Sequence, residues 1–281
     1  MANRVPEEIL REILVQLLVI SAEAFSGPCF AMYEDAPYPS SSPLSSRLSS
    51  KSSLLLLVCK QWLRIGSPLF YEAVVLSTTS QVQTLATTVH SMPSLGLAIK
   101  RLRLGDVSYD RDLHSIVELA PNIHTLSLSM DIACGRSISS FCSTLSKIHP
   151  VRLMLKSEKK PRDTDVGEVE RALVLCLAQW TSLTRVDLSN WFYLKSWFAD
   201  VLRQIPSLQC LSMGYMPIWH DMEYCRLEGG QLLSVVQNPA LRSILCRSRN
   251  AKNIEWMGKD RPQCAEVMKL LRIENHHELY H

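Results

Sequence analysis

Pro206-Ser207-Leu208-Gln209-Cys210-Leu211-Ser212-Met213 carries a turn signal and then two apolar residues, Leu211 and Met213, on either side of one variable position. Alternation of this kind marks a strand, because successive side chains leave a strand on opposite faces. The arrangement recurs along the chain in both directions. Leu102 and Leu104, Leu126 and Leu128, Leu153 and Leu155, Val186 and Leu188, and Ile244 and Cys246 complete a set of six, whose first members are separated by 24, 27, 33, 25 and 33 residues. Most are preceded by a turn signal, as in Pro93-Ser94-Leu95, Pro121-Asn122-Ile123, Thr181-Ser182-Leu183 and Pro239-Ala240-Leu241. Helix-like stretches such as 166–180 and 194–205 lie between them. One strand with one helix is too small to bury its apolar face alone, so neighbouring units must stack into a continuous core. The expectation is an α/β architecture of parallel strands curving into an arc, with an ordinary parallel α/β domain as the alternative.

Towards the N-terminus the period changes from two to about 3.6. Pro6 suits the first helical position, where a missing N–H costs nothing, and Glu7 and Glu8 complement the positive end of the helix dipole. Ile9, Leu10, Ile13, Leu14, Leu17 and Leu18 then follow at helical spacing. A helix of that length is marginal alone in water, so the stripe needs a partner. Residues 26–53 are dominated by serine and proline, which predicts a disordered insertion. Arg47 to Lys51, with Ser49 and Ser50 between them, is a candidate kinase target within an otherwise plain linker. From Leu54, LLLLVCKQWLRIG predicts a second apolar helix closing near Gly66 and Pro68.

The bulk numbers narrow the class. In a chain of 281 residues, 47% hydrophobic and 20% charged is the composition of a folded protein with ample core material. A formal charge of +3 gives no support to wholesale nucleic-acid or membrane-surface binding. The nine cysteines are odd in number, contain no CxxC and sit mostly in apolar runs, which fits free thiols in a reducing compartment. No basic-then-apolar signal peptide opens the chain, and no apolar run nears the roughly 20 residues that span a bilayer. Cytoplasm or nucleus is the expected location.

Val5-Pro6-Glu7-Glu8-Ile9-Leu10, then Leu57-Val58-Cys59-Lys60-Gln61-Trp62, then Pro68-Leu69-Phe70-Tyr71-Glu72 together resemble an F-box. The likeness is to the divergent F-box proteins common in fungi, whose helices precede leucine-rich-repeat-like segments. It implies F-box-like helices over 1–72 and an irregular leucine-rich-repeat solenoid with parallel strands over 73–281. It also implies a substrate-recruiting role: family F-boxes dock on a Skp-type adaptor, and through it on a cullin scaffold that carries the ubiquitin-transferring machinery. The matching positions here are Val5, Pro6, Ile9 and Ile13 on the first helix, and Leu57, Val58, Trp62 and Leu63 on the second. Two departures stand out. Val5 replaces the usual leucine, and residues 26–53 lengthen a link that is normally short. Without the family, two short apolar helices outside a repeat core still ask for a partner.

In such strands the intervening residues are expected on the concave face, where they would form a partner surface. Arg101, Arg103, Arg152, Lys156, Arg185 and Arg247 fall in these columns against a single acid, Asp187. That predicts a protein partner with acidic or phosphorylated segments, which arginine forks recognise well. Trp191-Phe192-Tyr193 with Trp197-Phe198 could anchor an interface, although its helical spacing favours core packing. Basic residues interleaved with aromatics raise RNA binding, but no recognised single-strand-binding motif accompanies them. Nothing supports catalysis. There is no GxSxG, no phosphate-cradling glycine loop and no HExxH. Gly229-Gly230 reads as a turn, His220-Asp221 with Cys225 is a weak cysteine–histidine pattern, and His276, His277 and His281 lack a matched fourth metal ligand. A non-catalytic adaptor without cofactor or metal is the expectation, or else a repeat scaffold uncoupled from ubiquitin transfer.

Overall fold

The computed structural model describes residues 5–26, 52–105, 111–130, 138–156, 167–189, 194–215, 231–248 and 265–275. Contacts divide the chain into two units, Met1–Ile123 and His124–His281. Both contain parallel strands joined by helices.

In the first unit, α1 (Glu7–Leu18) begins at Pro6, which is the N-cap and whose carbonyl accepts from Leu10 N at 3.0 Å. The expected second helix is split. Leu55–Leu57 form a 3₁₀ turn, Cys59 is extended, and only then does α3 (Lys60–Phe70) start. Between α1 and α3 the chain makes a short helix, α2 (Ala22–Ser26). The sequence reading closed the second helix near Gly66 and Pro68, yet α3 runs through both. Gly66 is a contact residue instead: a Cβ there would meet Leu56 Cδ2 at 2.6 Å and Leu18 Cδ1 at 2.8 Å. α1 and α3 enclose a small core of Leu10, Leu14, Leu18, Ile65 and Leu69.

The same unit continues through β1 (Ala73–Leu76), α4 (Thr79–Ser91), α5 (Pro93–Ala98), β2 (Arg101–Leu104) and α6 (Arg111–Leu119). α4 opens with a capping box in which Thr78 and Gln81 satisfy each other's backbone N–H groups. β1 and β2 pair in parallel, with Val74 opposite Leu102 and Leu76 opposite Leu104.

The second unit holds β3 (Thr125–Ser129), α7 (Ile138–Leu145), β4 (Arg152–Lys156), α8 (Gly167–Leu177), β5 (Arg185–Leu188), α9 (Ser196–Gln204) and β6 (Cys210–Tyr215). It ends with a helical turn at 231–235, β7 (Ser243–Ser248), α10 (Ala265–Leu270) and β8 (Leu271–Asn275). β3 to β8 pair in parallel in chain order. The register stacks Leu126, Leu153, Val186, Leu211 and Ile244 in one row, all fully buried. β8 extends that row with Leu271, whose apolar-x-apolar signal in Leu271-Arg272-Ile273 was not among the six segments.

One backbone device repeats at the entrance to β2, β4, β5, β6 and β7. The residue before the strand and its first residue both donate to a single carbonyl of the preceding unit. Val151 and Arg152 donate to His124 O, Thr184 and Arg185 to Val151 O, Gln209 and Cys210 to Thr184 O, and Arg242 and Ser243 to Gln209 O. Lys100 and Arg101 do the same to Glu72 O in the first unit. The turn signals precede this device as closed β-turns, with Leu183 N donating to Trp180 O, Leu208 N to Ile205 O and Leu241 N to Asn238 O. Buried Asn238 reinforces the last of these by donating to Leu202 O and Ile205 O, both at 2.8 Å, and accepting from Ala240 N. The sequence reading missed it, since one asparagine before a proline looks like ordinary turn chemistry.

Candidate docking surface

α1 carries two adjacent apolar ridges, because positions four residues apart advance slowly around a helix. Leu10, Leu14 and Leu18 face α3 and are buried. Ile9, Ile13 and Leu17 form the other ridge and lie 45–53% exposed. Val5, just ahead of α1, is also exposed. On the other element of this core, Leu57, Val58 and Leu63 are exposed, Leu57 at 77%, and Leu54 joins them. α1 packs on α3, and the 3₁₀ turn packs on α3 in turn. Glu7 Oε2 and Arg64 Nη2, 2.6 Å apart, tie the start of α1 to the first turns of α3. That ion pair is solvated and contributes little to stability.

The proposed adaptor-contacting residues therefore separate into two groups. Val5, Ile9, Ile13, Leu57, Val58 and Leu63 present apolar surface to solvent, and Pro6 is an exposed helix cap. Trp62 instead packs against the small core beside Phe70. Fully burying a side chain of this size contributes about 1.5–3 kcal/mol, so half-exposed isoleucines leave roughly half of that unrealised. A ridge of this kind is the usual signature of a helix made to be covered.

Among the described residues, the cations of the strand columns are engaged within the protein. In the first unit, Arg101 Nη2 donates to Ile20 O at 2.6 Å and its guanidinium lies over the buried Phe25 ring, 5.3 Å from the centroid. Arg103 Nη1 donates to Phe25 O at 3.4 Å, so the segment leading into and forming α2 lies against β2. In the second unit, Arg152 Nε and Arg185 Nε grip the two carboxylate oxygens of Asp187 at 2.5 and 2.9 Å. Register places Arg152 directly opposite Arg185, and the shared carboxylate offsets their repulsion. Lys156 is buried, and β7 carries Arg247, whose side chain lies outside the described residues.

The intervening positions are also more enclosed than an open concave face requires. Ser127, Met154, Asp187 and Ser212 are all buried. Nothing in strand alternation signals this, because period two reports only that one face is covered. Phe198 is fully buried in α9, edge-on to Trp197, which is core packing; Trp191 to Tyr193 lie outside the described residues. So do 27–51 of the serine-rich stretch, Gly229-Gly230, the His220–Cys225 pattern and the terminal histidines. Among the described residues no three His, Cys, Asp or Glu side chains gather as metal ligands, and no helix is long and apolar enough to cross a membrane. Compared with known proteins, the chain matches no family model and no curated protein.

Proposed function

We propose that this chain is a substrate-recruiting adaptor of a Skp–cullin–F-box type ubiquitin ligase, acting in the cytoplasm or nucleus. The observation that carries the reading is the exposed ridge of Ile9 and Ile13 together with Leu57, Val58 and Leu63, at the positions where the F-box resemblance expects adaptor contact. On this reading the helical pair of the first unit docks on a Skp-type adaptor. The strand–helix array, read as an irregular leucine-rich-repeat solenoid, then recruits a protein substrate. The chain itself does no chemistry; partner subunits transfer ubiquitin. An acidic or phosphorylated substrate segment has weaker support, because Arg152 and Arg185 already share Asp187.

Co-purification with a recombinant Skp-type adaptor tests the reading. The intact chain should retain the adaptor, and the triple substitution Ile9→Asp, Ile13→Asp, Leu57→Asp should release it while the protein keeps its fold by circular dichroism. Trp62 is unsuited to this test, since its loss would disturb the core it packs against. If the intact chain fails to hold an adaptor that a second F-box protein does hold, the chain is an uncoupled binding scaffold.

A further inference from the structure

The second unit contains a thiol pair that neither the strand core nor the docking surface uses. Cys142 lies on α7 and is half-buried; Cys176 lies on α8 and is fully buried. The two helices pack together. Cys142 Sγ points at α8, where it donates to the carbonyl of Ala172 at 3.8 Å, one helical turn before Cys176. Cys142 is also among the groups that act on the Cys176 thiol. The Cys142 sulfur is thus held against the facing helix by a backbone carbonyl of the turn that leads to Cys176.

We propose that Cys142 and Cys176 form an oxidation site, which a hydroperoxide converts to a disulfide that ties α7 to α8. The proposal is independent of the adaptor reading. In the first step the Cys142 thiolate attacks one peroxide oxygen, forming an S–O bond as the O–O bond breaks; the departing oxygen takes a proton and leaves as water or alcohol. In the second step the Cys176 thiolate attacks the Cys142 sulfur, the S–S bond forms, and the hydroxyl leaves with a proton as water. The two thiols lose two electrons and the peroxide gains them.

The order follows from access. Cys142 is the less buried of the two, half-buried against a fully buried Cys176, so a small oxidant meets it first and Cys176 is the resolving partner. Burial, with lesser effects from the charge and hydrogen bond of Cys142, pushes the Cys176 thiol up to about 12. The second step is therefore slow at neutral pH and quickens as pH rises, because the thiolate is the nucleophile.

The sequence makes the test clean. Trypsin would release Cys142 in Ser137–Lys147 and Cys176 in Ala172–Arg185, each with no other cysteine. The full-length protein is treated with hydrogen peroxide at mildly alkaline pH, alkylated, digested and mapped by mass spectrometry, with exposed Cys59 as the control for oxidant access. The expected product is the two peptides joined, separated by dithiothreitol and absent from the Cys142→Ser protein. Recovery of both peptides as alkylated thiols while Cys59 is oxidised would overturn the proposal. So would over-oxidation of Cys142 to a sulfinic acid with Cys176 still reduced.

Discussion

The α1–α3 pair and the strand array of the second unit depart from simple inside–outside patterning in opposite directions. In the helical pair, large apolar side chains at Ile9, Ile13, Leu57 and Leu63 lie outside. In the array, polar and charged side chains at Thr125, Ser127, Lys156, Asp187, Ser189 and Ser212 lie inside. Exposed leucines are common on any protein, so the informative cases are a clustered apolar ridge and a buried charge. The first has surface to spend on association. The second has polar groups that its own structure must satisfy, and Asp187 meets that need through two guanidinium groups. Ser127 Oγ has no partner among the described residues, which makes it the array's one such buried hydroxyl there. An apolar ridge still to be covered in the helical pair and a paired carboxylate in the array answer to one requirement, that buried polar groups be paired and apolar ridges covered.

The largest expected effect tests the buried side of this contrast. Asp187→Ala would leave Arg152 and Arg185 facing each other across neighbouring strands with no carboxylate between them. Removing one member of a buried pair costs about 3–5 kcal/mol, and the partial exposure of both arginines places this case near the lower end. Chemical denaturation should show the midpoint falling with an unchanged m-value. A loss below about 1 kcal/mol would mean that the pairing is decorative.

A pair of glycines gives an intermediate effect and compares two kinds of close approach within the first unit. A Cβ at Gly96 would drive into the backbone carbonyl of Leu119, which cannot move without shifting α6. At Gly66 the obstacles are the methyl ends of Leu56 and Leu18, which can rotate aside. Gly96→Ala should therefore cost about 1–3 kcal/mol. Gly66→Ala should cost less than about 1 kcal/mol, since the roughly 0.8–1 kcal/mol gain in helix propensity offsets part of the crowding. Thermal melts of the two proteins side by side would separate them; equal losses would show that the small helical core is as unyielding as backbone.

How much of this was legible differs between the regions for physical reasons. The strand positions could be read because alternation is local and repeats: all six apolar-x-apolar segments are strands with both flanking residues buried. The turn signals were legible for the same reason. Which side of the intervening residues is covered was not, since it depends on what packs there and no local spacing encodes it. Hence Lys156 and Asp187 were placed on an open face and lie buried. For α1 the apolar stripe was plain but its division was not. Ile9 and Leu10 are equivalent in the sequence pattern, and only the position of α3 decides which ridge is inside. Trp62 was grouped with the surface residues because an exposed-motif reading cannot distinguish it from Leu63 one step along the helix. The close approach of Leu14 and Leu18 to Gly66 is a tertiary fact that no local spacing encodes.

The smallest effect on stability is the one that decides what the exposed ridge is for. Ile9→Ser and Ile13→Ser remove apolar surface already in water, so each should change unfolding free energy by no more than about 0.5 kcal/mol. Leu10→Ala and Leu14→Ala, one residue further round the same helix, create cavities against α3 and should cost about 2–5 kcal/mol each. The ratio matters more than either number. If the serine variants are silent in denaturation yet lose adaptor retention, the ridge is reserved for association. If Ile9→Ser instead destabilises the isolated chain by as much as Leu10→Ala, the ridge is covered by the protein's own structure in solution. The contrast between an outward-facing helical pair and an inward-satisfied strand array would then fail at its first term.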